Sequence, residues 1–476
     1  MKVLGDDAVF KKLTFPEWAA LLFLAAVLIG QLLIAPVAGL ANNGDFERIM
    51  VWGGLKVPNG VTGDAQYFGF FNRVYEIGAT HLGGYVSSTI LFLKVAVWIN
   101  KAFHSYTQFD IRFLGALHIL TLLAGAWLVI SGVRRRNTGL AWLTAVLLVW
   151  VSTDKGISLY FNSMFSEATT FLMLLALVGC ALHLTAESEQ PQKWALITAA
   201  VAGVLFVTAK VQNALLGFLI VLWMLRLLRL HGERAWKKAV LIAAACVFVF
   251  TAGLSFYNSF EKINIYQTVF YGVLKDSPDP VADLRELGLP EEYVVLANTD
   301  YFVPHQIDIT TPEFKAGYYD HISRGKVLLF YAKHLDRFFD KLKVCAASSF
   351  NLHYYLGNYE NDGVHTKLQQ STNWTSYTYF AYNILPKSIW FLLLFSVAFA
   401  AGAMWEWRRA VHVRGKLLAE FFLALELMAT AQFVLPILGD GEADLAKHLY
   451  LFDLLGSVML VTAGIWIVRR IFRVGK

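Results

Sequence analysis

The sequence predicts an all-α polytopic membrane protein, with about ten transmembrane helices, interfacial helices and a small extracytoplasmic segment. Three observations predict it. The 476-residue chain is 57% hydrophobic and only 16% charged, where a soluble domain carries about 25% charged residues. Apolar runs of transmembrane length recur along it. Its arginine clusters can all be placed on one face, as the positive-inside bias of membrane proteins requires. The formal net charge of +6 therefore reads as basic cytoplasmic loops and not as a nucleic-acid surface. Cys180, Cys246 and Cys345 cannot all pair, and the first two lie in apolar runs. They read as packing residues, not as a disulfide framework.

Residues 1–255 form an N-terminal transmembrane module. Met1–Leu13 carries three lysines and two aspartates, and Trp18–Leu40 is the first span. Its apolar part is too long for a usual signal-peptide h-region. A long first external loop, 41–110, follows. Within it Tyr85–Phe103 has Lys94 at its centre, a position that costs roughly 2.5–3.5 kcal/mol across a bilayer. Counting it as a span would also invert every later loop, so residues 85–103 are expected to lie in the interface. Phe113–Val133 spans and ends on Arg134, Arg135 and Arg136. Leu140–Val151 returns, and Ala168–Thr185 spans again. Trp194–Leu230 is too long for one helix across a core of about 30 Å. It reads as a hairpin of two short spans with T-A-K-V-Q-N at its tip, before Ala239–Ser255 spans outward.

Residues 256–386 form the extracytoplasmic segment, with helical pieces expected around Ala282–Leu287 and Lys326–Leu342. Residues 387–476 supply the C-terminal spans Ser388–Met404, Leu417–Leu438 and Leu449–Val468. With this count the arginine clusters share the cytoplasmic face, together with both termini. The opposite face receives Asp45, Asp64, Glu167, Lys210 and the loop Asp440–His448.

Four polar stretches on that outer face could carry chemistry. In A-N-N-G-D-F-E-R, an acid and a base, Asp45 and Arg48, stand at a membrane surface. Asn and Asp there equally suit a turn or a cap. In F-N-S-M-F-S-E, Asn162 or Ser166 can cap a helix. Glu167 suits a first turn, but a carboxylate entering a span must face protein or water. Lys210, at the hairpin tip, suits a phosphate, with snorkelling the bland alternative. G-D-G-E-A-D-L-A-K-H holds Asp440, Glu442, Asp444, Lys447 and His448. Its acids, with Asp64, are candidates for a metal or an acceptor; magnesium or manganese would take oxygen ligands, but there is no D-x-D repeat. Lys447 and His448 equally suit a phosphate clamp. There is no Walker A, G-x-S-x-G, H-E-x-x-H or C-x-x-C motif, which removes the usual ATP-driven transporters and common hydrolases.

N-N-G-D-F-E-R, Y-F-N-S-M-F-S-E, Y-G-V-L-K-D-S-P-D-P, Y-L-G-N-Y-E and G-D-G-E-A-D-L-A-K-H are scattered over nearly the whole chain. In them it resembles the bacterial GT-C class of integral-membrane glycosyltransferases, and most closely the WsfD-type glycan hexose transferases. The resemblance implies inverting transfer of a sugar from a polyprenyl-phosphate donor to a glycan or lipid-linked acceptor. The acceptor lies outside the cytoplasm, and the enzyme sits in the bacterial inner membrane. It implies that an acid of the first external loop, here Asp45, is the general base. Arg48, Lys210, Lys447 or His448 would hold donor phosphate, beside Glu167 and Asn162. The rivals are a flippase or transporter, a polymerase of lipid-linked surface polysaccharide, and a non-enzymatic scaffold. No internal repeat of the transporter kind is visible.

Overall fold

The computed structural model describes residues 14–78, 84–188, 190–257, 261–352 and 355–472. The lysines of Met1–Leu13 and the basic residues Arg473 and Lys476 lie outside them. The protein is an all-α polytopic membrane protein. Among the described residues eight helices are long and apolar enough to cross a membrane, or nine if one bent pair is a single span. A tenth apolar helix, Lys193–Ala209, is shorter.

In chain order, α1 is Phe15–Leu32, α2 Thr89–Phe103, α3 Arg112–Arg134, α4 Thr138–Ser152 and α5 Ser166–Leu184. Next come α6 Lys193–Ala209, α7 Val211–Arg229 and α8 Arg234–Ser255. Three helices too short to be candidate spans follow, α9 Pro280–Leu287, α10 Arg324–Lys333 and α11 Leu335–Ser348. Last come α12 Ile389–Arg409, α13 Val413–Asp440, the single turn α14 Leu445–His448, and α15 Tyr450–Ile471. Helix α5 is the centre of the bundle, buried along almost all its length between α3 and α6. Cys180, Cys246 and Cys345 are free thiols.

The first span is shorter than the apolar run suggests. It ends at Leu32, not Leu40, because Pro36 lacks an amide donor and disfavours helix in the residue before it. Residues 37–41 are buried without being helical. Gly39 passes so close that an added Cβ would lie 2.3 Å from the Phe71 ring and 2.6 Å from the Asn162 carbonyl.

The first loop contains a three-stranded antiparallel sheet that the sequence reading did not anticipate. Strands β1 Leu55–Lys56, β2 Val74–Ile77 and β3 Gln108–Asp110 pair in that order. Leu55 faces Ile77, and Tyr75 faces Phe109. Asp110, almost wholly buried at the sheet end, meets Arg73 at 2.9 Å and Arg112 at 2.7 Å. That compensation is needed, because an isolated buried carboxylate is costly. Fifteen-residue α2 is too short to cross the bilayer core. Its Lys94 is exposed and stands 5.4 Å from the Trp52 ring centre.

The apolar run of residues 194–230 does break into two helices, but only the first is short; the second, α7, is long enough to cross by itself. Lys210 sits between α6 and α7 in extended backbone (φ −144°, ψ 140°). Within residues 256–386, the helix expected around Lys326–Leu342 is two helices broken at His334. Arg337 braces the segment internally by meeting Asp283 at 2.7 Å. Lys341 and Lys275 tie it to the rest by meeting Glu442 at 2.6 and 2.8 Å.

Candidate active site

Asp45 is positioned by local hydrogen bonds and one buried ring. The Asn42 side-chain oxygen accepts from the amides of Gly44 (2.8 Å) and Phe46 (3.1 Å). The turn needs a glycine at position 44, whose φ is +102°. Phe46 is buried and packs edge-on to Phe165 with ring centres 4.7 Å apart. Asp45 thus projects between an anchored aromatic and the single turn Glu47–Met50.

Its two oxygens face two cations. Oδ1 meets the Arg48 guanidinium at 2.6 Å, and Oδ2 contacts the Lys447 ammonium. Lys447 comes from 402 positions further along the chain and is 7% exposed. It also lies 4.9 Å from the centre of the Phe165 ring. Burial pushes the Lys447 ammonium down to about 7. The Asp45 carboxylate opposes that effect by favouring the charged amine. Burial likewise lowers Arg48, and it raises Tyr85, whose ring centre is 6.0 Å from the guanidinium.

Two further ion pairs stand beside this one. Lys210 meets Glu167 at 3.0 Å, and His448 meets Asp440 at 2.9 Å. Glu167, Lys210, Lys447, His448 and Tyr450 line a cavity of about 10 Å³, room for about one water. Gln212 ties its wall together, donating to Gln432 (2.7 Å) and to the His448 carbonyl (3.0 Å). Ser87 and Ser88 bind the first loop to the hairpin tip through the carbonyls of Ala209 (2.7 Å) and Leu205 (2.6 Å). The loop Asp440–His448 is seated by Gly441. A Cβ there would lie 2.5 Å from the Gln267 carbonyl.

Six of the expected residues therefore converge: Asp45, Arg48, Glu167, Lys210, Lys447 and His448, with Asp440 held against His448. Asp444 starts the turn that carries Lys447, at φ +48°. Three others do not join them. Asn162 is fully buried, and its amide donates to the carbonyls of Leu32 (2.7 Å) and Ala38 (2.9 Å). It clamps the irregular chain after α1. Glu442 turns to Lys275 (2.8 Å) and Lys341 (2.6 Å). Asp64 is exposed and pairs with Lys367 at 2.8 Å. Sequence reasoning passed over Tyr85, Gln212 and Phe165, although Gln212 and Phe165 lie inside the motifs it singled out.

Among the described residues no three His, Cys, Asp or Glu side chains converge as a metal would need. Asp45, Asp64, Glu167, Asp440 and Glu442 are each held by a basic side chain instead. This donor set does not fit magnesium or manganese.

Residues 6–476 match the YfdI N-terminal transmembrane domain family. The chain belongs to that family. None of the curated proteins matches it. Among solved structures, it is similar to the archaeal oligosaccharyltransferase AglB from Archaeoglobus fulgidus, solved with an inhibitory peptide and a dolichol-phosphate. Identity is 12% and the TM-score 0.41. The match covers 96% of this chain and 51% of that one, so the chain spans about half its length. That likeness is too distant to assign an activity.

Proposed function

We propose that the protein is a membrane glycosyltransferase of the GT-C kind. It moves a sugar, of the hexose class, from a polyprenyl-phosphate donor to a glycan or lipid-linked acceptor with inversion. The observation that carries this reading is the grip of Arg48 and Lys447 on Asp45, beside the Lys210–Glu167 pair. A sugar hydroxyl is a poor nucleophile and needs a base, while the leaving phosphate needs cations. Both are within one cluster.

The two needs are coupled in this geometry. A donor phosphate competes with Asp45 for Arg48 and Lys447. As those cations turn to the phosphate, the carboxylate oxygens are released to accept a proton. The acceptor hydroxyl gives its proton to Asp45 while its oxygen attacks the anomeric carbon. The bond from that carbon to the phosphate oxygen breaks, and polyprenyl phosphate leaves with the electron pair. Arg48, Lys447 and Lys210 stabilise the charge that develops on it. Asp440 Oδ1 is buried and has no hydrogen-bond partner among the described residues, which leaves it able to accept from a sugar hydroxyl. The donor is already activated and resides in the bilayer, so no nucleotide site is required. The arginine-bearing end is the cytoplasmic one by positive-inside bias, which puts the site on the extracytoplasmic side of a bacterial inner membrane.

The test is single-turnover transfer in proteoliposomes, with a polyprenyl-phosphate hexose and a pool of envelope glycans, read by mass spectrometry. Wild type is expected to form product and Asp45→Asn to form it at least about a hundredfold more slowly, with an unchanged melting profile. Full transfer by the Asn variant would remove Asp45 from the mechanism. Movement of intact lipid-linked sugar across the bilayer, with no new glycosidic bond, would favour a flippase.

A further inference from the structure

A second cavity lies at the other end of the bundle, and the proposed transfer makes no use of it. Helix α12 packs mainly on α13 and is little buried. It leaves a crevice of about 1530 Å³ against α4, α5 and α15, larger than the roughly 300–1,000 Å³ of small-molecule pockets. Leu148, Phe395, Phe399 and Val458 are among its apolar walls.

The mouth of this crevice is cationic. Arg135, Arg136, Arg229, Arg409, Arg414 and Arg469 line it, against only Glu187 and Glu406. Three of these arginines form no ion pair among the described residues. Arg136 donates to the Leu182 carbonyl and the Thr185 hydroxyl, both at 2.8 Å. Arg414 donates to the carbonyls of Ala186 and Ser188, both at 2.7 Å. Arg409 lies 4.3 Å from the centre of the Trp405 ring. Helix ends and a ring hold them in place without an ion pair, and of the rim's two carboxylates only Glu187 reaches Arg414 with its field. Deeper in the crevice, the hydroxyl of fully buried Ser152 has no hydrogen-bond partner. An apolar slot with a cationic rim, at the level where a transmembrane bundle meets lipid headgroups, complements a molecule with long chains and one anionic group.

We propose that this crevice is a binding site for an anionic phospholipid of the leaflet at the arginine-bearing face. Its acyl chains lie between α4, α12 and α15, and its phosphodiester sits on Arg136, Arg409 and Arg414. The lipid fills a gap that the helices leave open and cements α12 to the core. The deep end of the crevice reaches Phe171 and Leu454, about one helical turn from Glu167 and Leu451 of the other site. The rival occupant is therefore the chain of a polyprenyl phosphate whose head is held by Lys447. The excess of positive charge lies at the opposite end, which favours the phospholipid.

The test is native mass spectrometry of the detergent-purified full chain, with phosphatidylglycerol or phosphatidylcholine added. Wild type is expected to retain one phosphatidylglycerol in preference to phosphatidylcholine. Arg136→Gln combined with Arg414→Gln should weaken retention by roughly thirtyfold, at about fivefold per arginine. Those side chains also hold helix ends, so a second variant leaves them alone. A Cβ on Gly402, which lines the crevice, meets nothing within 4 Å. Gly402→Phe fills the slot and is expected to expel the lipid while transfer activity persists. Equal retention of both lipids, or no loss in Gly402→Phe, overturns the proposal. So does retention of polyprenyl phosphate that Gly402→Phe abolishes and Lys447→Met also abolishes.

Discussion

The two ends of the bundle treat charge in opposite ways. At the Asp45 end, each acid of the cluster is held by at least one base around a cavity of about 10 Å³. Arg48 and Lys447 share one carboxylate, while Lys210 and His448 have one each. At the other end, six arginines face two glutamates around about 1530 Å³. Paired charges in a tight site form a switch, because an incoming anion must displace the partner and so exposes it. Cations in excess of acids around an open slot form a standing attraction instead. The first arrangement suits a reaction and the second suits retention.

The largest way to break this contrast is Asp45→Asn. Loss of a positioned base should lower single-turnover transfer by roughly 10²–10⁴-fold, measured by product formation at saturating donor. Lys447→Met comes next. It removes a buried phosphate-holding charge and should lower kcat/KM by roughly 10²–10³-fold, a loss that steady-state kinetics over a range of donor concentrations would register.

A pH series sharpens the same point. The Lys447 pKa is depressed by burial to about 7, so its ammonium is present below that pH and is lost as pH rises through it. Donor affinity should fall by about tenfold per unit above pH 7. The slope should disappear in Lys447→Met. A slope that survives in that variant would assign the titration elsewhere.

Gly357→Ala tests the scaffold that holds the first loop. A Cβ at position 357 would lie 2.0 Å from the Gly69 carbonyl oxygen. The Gly357 amide also donates to Phe68 O at 2.9 Å, and its carbonyl accepts from Ala41 N at 2.9 Å. Overpacking should cost about 1–3 kcal/mol, visible as a lowered Tm with transfer reduced in proportion to unfolding. The smallest effect belongs to the arginine end. Arg226→Gln breaks a pair in which only the arginine is well exposed, 44% against 17% for Glu420; Glu420 keeps its bond from Trp407, so stability should change by about 1 kcal/mol or less. Transfer should stay at the wild-type rate, and a large loss would tie the two ends together.

Much of this was legible in the chain because hydropathy and charge act locally. Apolar runs of about 20 residues become helices, since a bilayer admits only helices and closed barrels and a barrel strand needs only about ten. Arginines at alternate ends set which loops share a face. The hairpin tip at Lys210 and the turn at Gly44–Asp45 follow from run length and turn residues. From these, the expectation that Asp45 and the Asp440–His448 loop lie on one side could be formed before any coordinates.

Partners distant in sequence were decided only by the tertiary structure. No local rule tells that Asp45 meets Lys447, or that Glu442 leaves its neighbours in the same motif for Lys275 and Lys341. Asn162 looked like a site residue, but it serves as a clamp because buried carbonyls of Leu32 and Ala38 need a donor where α1 stops early. The sheet of the first loop was hidden because strands of two to four residues carry too little alternation to read. The reason is common to the first three. Periodicity reports which way a side chain faces, whereas a charged or polar pair is settled by whichever counterpart the packed helices bring within reach.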